Sequence, residues 1–168
     1  MKVGVTELIE AQKKELHLEI EDEIETMNYA GDEISFTQPA TFKGRIYNSN
    51  GDIYIQGCVE SVAEFCCHRC LKRFQQKIMG EVHEKLFDQD SPQMDVDEYF
   101  VMKNNMVDIT KIMENTLVLS LPMKIICDEH CRGLCLVCGT DLNEHQCNCK
   151  NDEVDPRLAK LKDLLQQN

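Results

Sequence analysis

Ten cysteines dominate the chemistry that this 168-residue chain could perform. None precedes Cys58; four lie between Cys58 and Cys70, and six lie between Cys127 and Cys149. Such thiols bind metal ions, form disulfides, carry redox chemistry or pack in a core. Residues 1–10 lack the apolar stretch of a secretory signal, so we expect a reducing cytoplasm. There, metal binding or burial is favoured over disulfides.

The most specific motif is Cys135-Leu136-Val137-Cys138-Gly139. Two cysteines separated by two residues and followed by glycine are typical of a zinc knuckle, because the tight turn directs both sulfurs at one centre. Tetrahedral Zn²⁺ needs two further ligands. Cys147 and Cys149 follow a short turn at residues 141–143 and complete our favoured ligand set.

Other ligand sets fit the same cysteines. Cys127 and Cys131 could join the knuckle and leave Cys147 and Cys149 outside, or Cys127 could join the knuckle with one of these last two. His130 and His145 are interpreted as solvated loop residues, since thiolates are plentiful. An all-thiolate site is typically closed to water, so the predicted role of zinc is structural.

A second close pair occurs in Cys67-His68-Arg69-Cys70. One interpretation is a second metal site, in which Cys67 and Cys70 join Cys127 and Cys131. Another is a tight turn with two buried thiols, and a third is a redox pair, although the strand-to-helix context of such pairs is missing. Cys58 and Cys66 would remain as small buried packing residues.

The charge around this pair is locally basic, with Arg69, Lys72, Arg73 and Lys77 and no acid between residues 65 and 77. Scattered lysine and arginine usually mark a solvated strand face. The more specific alternative is that these residues contact RNA or a partner, with Phe65 or Phe74 stacking on a base.

Apart from this stretch the chain is acidic, and the formal net charge of the whole chain is −12. This charge opposes diffuse binding to nucleic acid or anionic membranes and favours a basic partner or one local contact. No apolar run is long enough to cross a bilayer, so we predict no membrane association. No nucleophile–base pair or phosphate-binding glycine loop is present, so we predict no catalytic residues and no small-molecule substrate.

The hydropathy pattern predicts an α+β fold, with an antiparallel sheet over about residues 15–85 and packed helices. Residues 48–52 form a hairpin turn signal, and Gly57 is expected to mark a bulge or bend. We divide the chain into a sheet domain at 1–126, with an N-terminal helix and a packing helix near 108–120, and a zinc-knuckle segment with a terminal helix at 127–168. The terminal helix is signalled by Asp155 and Pro156.

Several motifs, in order along the chain, resemble those of the YceD family. They are Cys67-His68-Arg69-Cys70-Leu71, Asp108-Ile109-Thr110, Leu119-Ser120-Leu121-Pro122, residues 131–143 and Asp155-Pro156-Arg157-Leu158-Ala159. The resemblance implies a bacterial or plastid protein linked to accumulation of large-subunit ribosomal RNA, with no enzymatic activity. Family members differ in their C-terminal cysteines, so zinc cannot be the mechanism of the whole family.

Together these observations predict a non-enzymatic ribosome biogenesis factor that supports accumulation or processing of large-subunit rRNA and carries structural Zn²⁺. Its partners would be a large-subunit precursor or a basic ribosomal protein, with a local rRNA contact in addition. One alternative is a zinc-ribbon adaptor that acts outside ribosome assembly. A further alternative is a thiol redox protein that uses Cys67 and Cys70.

Overall fold

A computed structural model describes residues 1–29, 31–89 and 100–149. The elements in chain order are β1 (Lys2–Gly4), α1 (Thr6–Ile9), β2 (Glu15–Asp22), β3 (Met27–Tyr29), β4 (Asp32–Phe36), β5 (Ala40–Ser49), β6 (Asp52–Cys66), β7 (Arg73–Asp88), β8 (Val101–Met102), β9 (Met106–Asp108) and α2 (Ile109–Leu119). The helix expected at Asp155 lies outside the described residues.

The centre of the sheet is the long antiparallel hairpin of β6 and β7, which pair from Ile53↔Leu86 to Cys66↔Arg73. The first part of the other edge of β6 pairs with β5, and β5 pairs with β2. The last part of that edge pairs with β4, and β4 pairs with β3. The short β8 runs parallel to the end of β7, and β1 pairs with β9. The predicted antiparallel sheet is therefore confirmed.

The predicted turn joins β5 to β6 through Asn50 and Gly51. Both residues have positive φ, of 56° and 94°, which is the geometry of a two-residue hairpin turn. The expected bulge at Gly57 is wrong: Gly57 pairs in continuous register with Gly44 on one side and Val82 on the other.

Glycine is needed at Gly44 and Gly57 because the Phe42 ring lies over both. A Cβ at either position would lie 2.7 Å from an atom of that ring. Phe42 is fully buried, so the ring cannot move aside into solvent. The two glycines thus allow an aromatic side chain to lie flat on the sheet.

One face of the sheet forms the core, and α2 covers it. The helix buries Ile109, Ile112, Met113 and Leu117, which follow helical spacing. They join sheet residues such as Phe42 in one apolar cluster. The prediction of several packed helices is overstated, because α1 has only four residues and α2 is the longer of the two described.

Candidate metal centres

The first group of cysteines joins the end of the central hairpin to the segment after α2. Cys67 and Cys70 lie in the turn between β6 and β7, and Cys127 and Cys131 follow the helix. The four sulfurs all lie within 4.8 Å of one another. Cys67, Cys70 and Cys131 are buried and Cys127 is half-buried, so the group is enclosed by protein.

Backbone hydrogen bonds shape the turn that presents the first two sulfurs. The Leu71 N–H donates to the Cys67 carbonyl, and Leu71 has φ of 61°. The Cys67 N–H donates to the Lys72 carbonyl, and the Arg69 N–H donates to the Cys67 sulfur at 3.4 Å. The His68 N–H donates to the Ile125 carbonyl at 2.9 Å, which connects the turn to the segment that carries Cys127.

Arg69 also fastens the later segment to this turn. Its guanidinium donates to the carbonyls of Cys131 at 2.7 Å and Glu129 at 3.3 Å. Its own carbonyl accepts from the Leu134 N–H at 3.0 Å. Gly133 is required here, because its φ is 75° and a Cβ would lie 2.9 Å from the Arg69 carbonyl oxygen.

The second group consists of Cys135, Cys138, Cys147 and Cys149, whose sulfurs also lie within 4.8 Å of one another. Two of these cysteines are half-buried and two are exposed. The Gly139 N–H donates to the Cys135 carbonyl, and Gly139 has φ of 73°, as the knuckle turn requires. The Thr140 hydroxyl lies 3.2 Å from the Cys138 sulfur.

In each group the pKa of one thiol is lowered and the pKa of another is raised. Burial tends to raise the pKa of Cys67, but backbone N–H groups of Cys70, Cys127 and Arg69 outweigh it and lower the pKa to about 6. Burial and the neighbouring sulfurs raise the pKa of Cys127 to about 12.

The second group shows the same division. The hydrogen bond from the Thr140 side chain lowers the pKa of Cys138 to about 6. The contact with the Cys138 sulfur, followed by burial, raises the pKa of Cys149 to about 12. Four thiolates therefore do not coexist in either group without a cation to neutralise them.

The sulfur spacing suits tetrahedral coordination. Zn–S bonds near 2.3 Å in a tetrahedron place sulfurs about 3.8 Å apart. The Cys67–Cys131 and Cys70–Cys127 sulfurs are 3.9 and 3.6 Å apart, far beyond a disulfide bond. All ten cysteines are free thiols. Both groups could hold a metal ion, and four thiolates suit zinc or iron.

The two remaining cysteines lie outside these groups. Cys58 is half-buried, and burial raises the pKa of its thiol. Cys66 is exposed, so the prediction that it is a buried packing residue is wrong. The alternation of β6 explains this, because Phe65 and Cys67 face the interior on either side of Cys66.

Three of the four basic residues near the first group have partners in the structure. Arg73 pairs with Glu64 at 2.8 Å, Lys77 pairs with Glu60 at 2.7 Å, and Arg69 is bound to backbone carbonyls. Lys72 is exposed. The RNA or partner contact by Arg69, Lys72, Arg73 and Lys77 stays a prediction.

The aromatic residues proposed for base stacking lie against each other. The Phe65 and Phe74 ring centroids are 5.9 Å apart. Phe65 is 2% exposed, so the prediction that it is available to a base is wrong, while Phe74 is half-buried.

The sequence places Asn143 in a turn and at the end of the family motif at residues 131–143, but does not indicate its contact with a cysteine. Its Nδ2 donates to the Cys131 sulfur at 3.5 Å, and its Oδ1 accepts from the Arg132 N–H at 2.8 Å. Its place between Cys138 and Cys147 in the sequence was the available signal.

Within the described residues, no helix is long and apolar enough to cross a membrane.

A family model matches more than half of the chain. The YceD family model, described as large ribosomal RNA subunit accumulation protein YceD, matches residues 55–165, which is more than half of the chain. The matched region includes all ten cysteines. No solved structure matches the chain.

Relatives in plants and bacteria show different extents of similarity. A chloroplastic YCED homolog 1 from Arabidopsis thaliana is 36% identical over 61 residues, which is 36% of this chain and 19% of that protein. The corresponding Zea mays protein is 26% identical over 68% of this chain and 50% of its own length. YlbN from Bacillus subtilis is 23% identical over 99% of this chain and 98% of its own length. The chain belongs to the YceD family.

Proposed function

We propose that this protein is a non-enzymatic ribosome biogenesis factor that supports accumulation or processing of large-subunit rRNA. The observation that carries the proposal is the family match over residues 55–165, because the family is described by accumulation of large-subunit rRNA. The Arabidopsis and maize relatives carry the same description in their names. A cytoplasmic location belongs to this proposal.

We also propose that the bound metal is Zn²⁺ and that its role is structural. Two groups of four thiols support this, since all-thiolate zinc sites are closed and leave no position for a substrate. The zinc of the first group would hold the β6–β7 turn against the segment after α2. The zinc of the second group would close the loop at residues 135–149.

A basic protein partner is favoured over RNA as the main contact. The chain has a net charge of −12, and two of the four basic residues near the first group, Arg73 and Lys77, are paired with acids. A basic ribosomal protein, free or within a large-subunit precursor, would complement this charge.

Deleting the gene in its native host tests the function. We expect the ratio of large-subunit to small-subunit rRNA to fall, and a plasmid copy of the wild-type gene to restore it. The protein should also co-sediment with large-subunit precursors in a sucrose gradient. A normal rRNA ratio, together with absence from these particles, would contradict the proposal and favour an adaptor outside ribosome assembly.

A matched pair of variants tests whether the first group supports this function. Cys67→Ser removes one buried thiol, whereas Cys66→Ser changes the adjacent exposed thiol. We expect the Cys66 variant to restore the rRNA ratio and the Cys67 variant to fail. A thiol enzyme would instead require Cys67 and Cys70 for turnover while the fold and the metal content remain intact.

A further inference from the structure

The side chain of Asn143 bridges the two groups of cysteines. It lies in the loop between Cys138 and Cys147, which both belong to the second group. Its amide nitrogen donates to the sulfur of Cys131, which belongs to the first group, at 3.5 Å. Asn143 is thus positioned by one group and contacts a candidate ligand of the other.

The amide of Asn143 is oriented by two further hydrogen bonds. Its Nδ2 also donates to Asp141 Oδ1 at 2.7 Å, and its Oδ1 accepts from the Arg132 N–H at 2.8 Å. An amide nitrogen carries two hydrogens, so the bonds to Asp141 and to Cys131 are compatible. These contacts fix which end of the amide faces the sulfur.

The loop that carries Asn143 is bound to the segment between the groups. The Leu142 N–H donates to the Gly133 carbonyl at 2.9 Å, and Leu134 forms a β-bridge with Asp141. The Cys135 N–H donates to the Thr140 carbonyl at 2.9 Å. Closing the second group around an ion therefore restrains both ends of the loop and the position of Asn143.

We propose that the two groups bind their metal ions as a coupled pair, with Asn143 as the positioning residue that links them. An ion in the second group holds the loop, and the loop places the Asn143 N–H against Cys131. That N–H donor lies 3.5 Å from the sulfur that would bind the ion, and a hydrogen bond to a metal-bound sulfur is charge-assisted, so it favours the loaded first group. Because linkage is reciprocal, an ion in the first group strengthens binding in the second by the same factor. The inference rests on the proposed metal binding.

Native mass spectrometry of the full chain with one equivalent of Zn²⁺ measures the coupling. The spectrum gives the populations of chains with no metal ion, one metal ion and two metal ions. Positive coupling lowers the population of the one-metal form. The measured quantity is the square of the one-metal population divided by the product of the other two, corrected for the separate affinities of the two groups, which are measured in Cys138→Ser (first group intact) and Cys67→Ser (second group intact) with and without the Asn143 substitution. We expect this ratio to rise about fivefold or more in Asn143→Ala, as for a typical coupling between sites.

Two further variants separate the sulfur contact from a general effect on the loop. Asn143→Asp keeps an oxygen that accepts from the Arg132 N–H but cannot donate to Cys131, so the ratio should rise as in Asn143→Ala. Glu144→Ala is the matched control, because Glu144 is the exposed neighbour. It should behave as wild type. In the fully Co²⁺-loaded chain, the sulfur-to-cobalt absorption band should shift in the Asn143 variants and not in the control.

An unchanged ratio in Asn143→Ala, or wild-type behaviour of Asn143→Asp, would overturn the coupling while leaving metal binding intact. Absence of two-metal chains at excess Zn²⁺ would instead overturn the metal proposal itself. The rRNA measurements are independent of both results, so failure of the ribosomal function is distinguishable from failure of the coupling.

Discussion

The sulfurs of Cys67 and Cys131 lie 3.9 Å apart, although the two residues are 64 positions apart in the sequence. This contact connects the end of the longest hairpin in the described sheet to the segment that follows α2. In the described region after Leu119 there is no further helix and only an isolated bridge between Leu134 and Asp141. Metal ligation would therefore replace secondary structure as the main source of order in this segment.

Metal removal should loosen residues 120–149 before it affects the sheet. Few apolar side chains of this segment are buried, so the binding free energy of the metal is a large share of its folding free energy. Hydrogen exchange measured with and without a strong chelator should show lost protection in this segment, with β6 and β7 unchanged. Equal protection in the two samples would show that the segment folds without metal.

The two groups should respond differently to loss of one cysteine. Cys67→Ser removes a buried thiol from the first group, whereas Cys138→Ser removes an exposed thiol from the second group. Each variant should lose about one metal ion per chain, and Cys67→Ser should cause the larger drop in melting temperature because three of the four cysteines of its group are buried. Inductively coupled plasma mass spectrometry and thermal unfolding measure the two effects. An identical melting temperature for both variants would contradict the difference.

Metal affinity should fall as the pH is lowered. The pKa values of Cys127 and Cys149 are raised to about 12, so both thiols are protonated near neutral pH without metal. Ligation requires thiolates, and binding must therefore release protons. Lowering the pH from 8 to 6 raises the proton concentration against which this release occurs, so the apparent affinity for Zn²⁺ should decrease. Competition with a chelator whose own pH dependence is known measures this affinity. An affinity for Zn²⁺ that is the same at pH 8 and pH 6 would contradict the prediction.

Packing of α2 on the sheet should depend on Gly80. A Cβ there would lie 2.3 Å from Ser120 Oγ, 2.7 Å from Thr116 Cγ2 and 3.0 Å from the Thr116 carbonyl oxygen, so Gly80→Ala must displace these side chains and crowd the helix backbone. Overpacking of this kind costs about 1–3 kcal/mol of unfolding free energy. Urea denaturation should show this loss, while Gly4→Ala, whose nearest contact would be Met106 Sδ at 3.4 Å, should be close to wild type.

Local sequence patterns were sufficient to predict the sheet. The two-residue periodicity and the Asn50-Gly51 turn reported the antiparallel hairpin directly, because each depends on neighbouring residues. The error at Gly57 arose because its close neighbour, the Phe42 ring, comes from the adjacent strand. A sequence shows that a glycine is present, but not which side chain lies over it.

The grouping of the cysteines was predictable to a similar degree. The spacing of Cys135 and Cys138 favoured the second group. The first group was one of several interpretations that the sequence left open. The structure brings Cys67, Cys70, Cys127 and Cys131 together through long-range contacts, such as that between His68 and Ile125, which no local pattern encodes. Asn143 was missed for the same reason, since its significance depends on the sulfur that it reaches.

Zinc content is the most direct test of the central claim, that both cysteine groups bind metal, the first to hold the β6–β7 turn against the segment after α2 and the second to close the loop at residues 135–149. The full chain should be expressed in its native host, purified under reducing conditions without chelators, and analysed by inductively coupled plasma mass spectrometry with a protein concentration from amino-acid analysis. We predict two zinc ions per chain. A preparation that is folded and contains no zinc or other bound metal would contradict it.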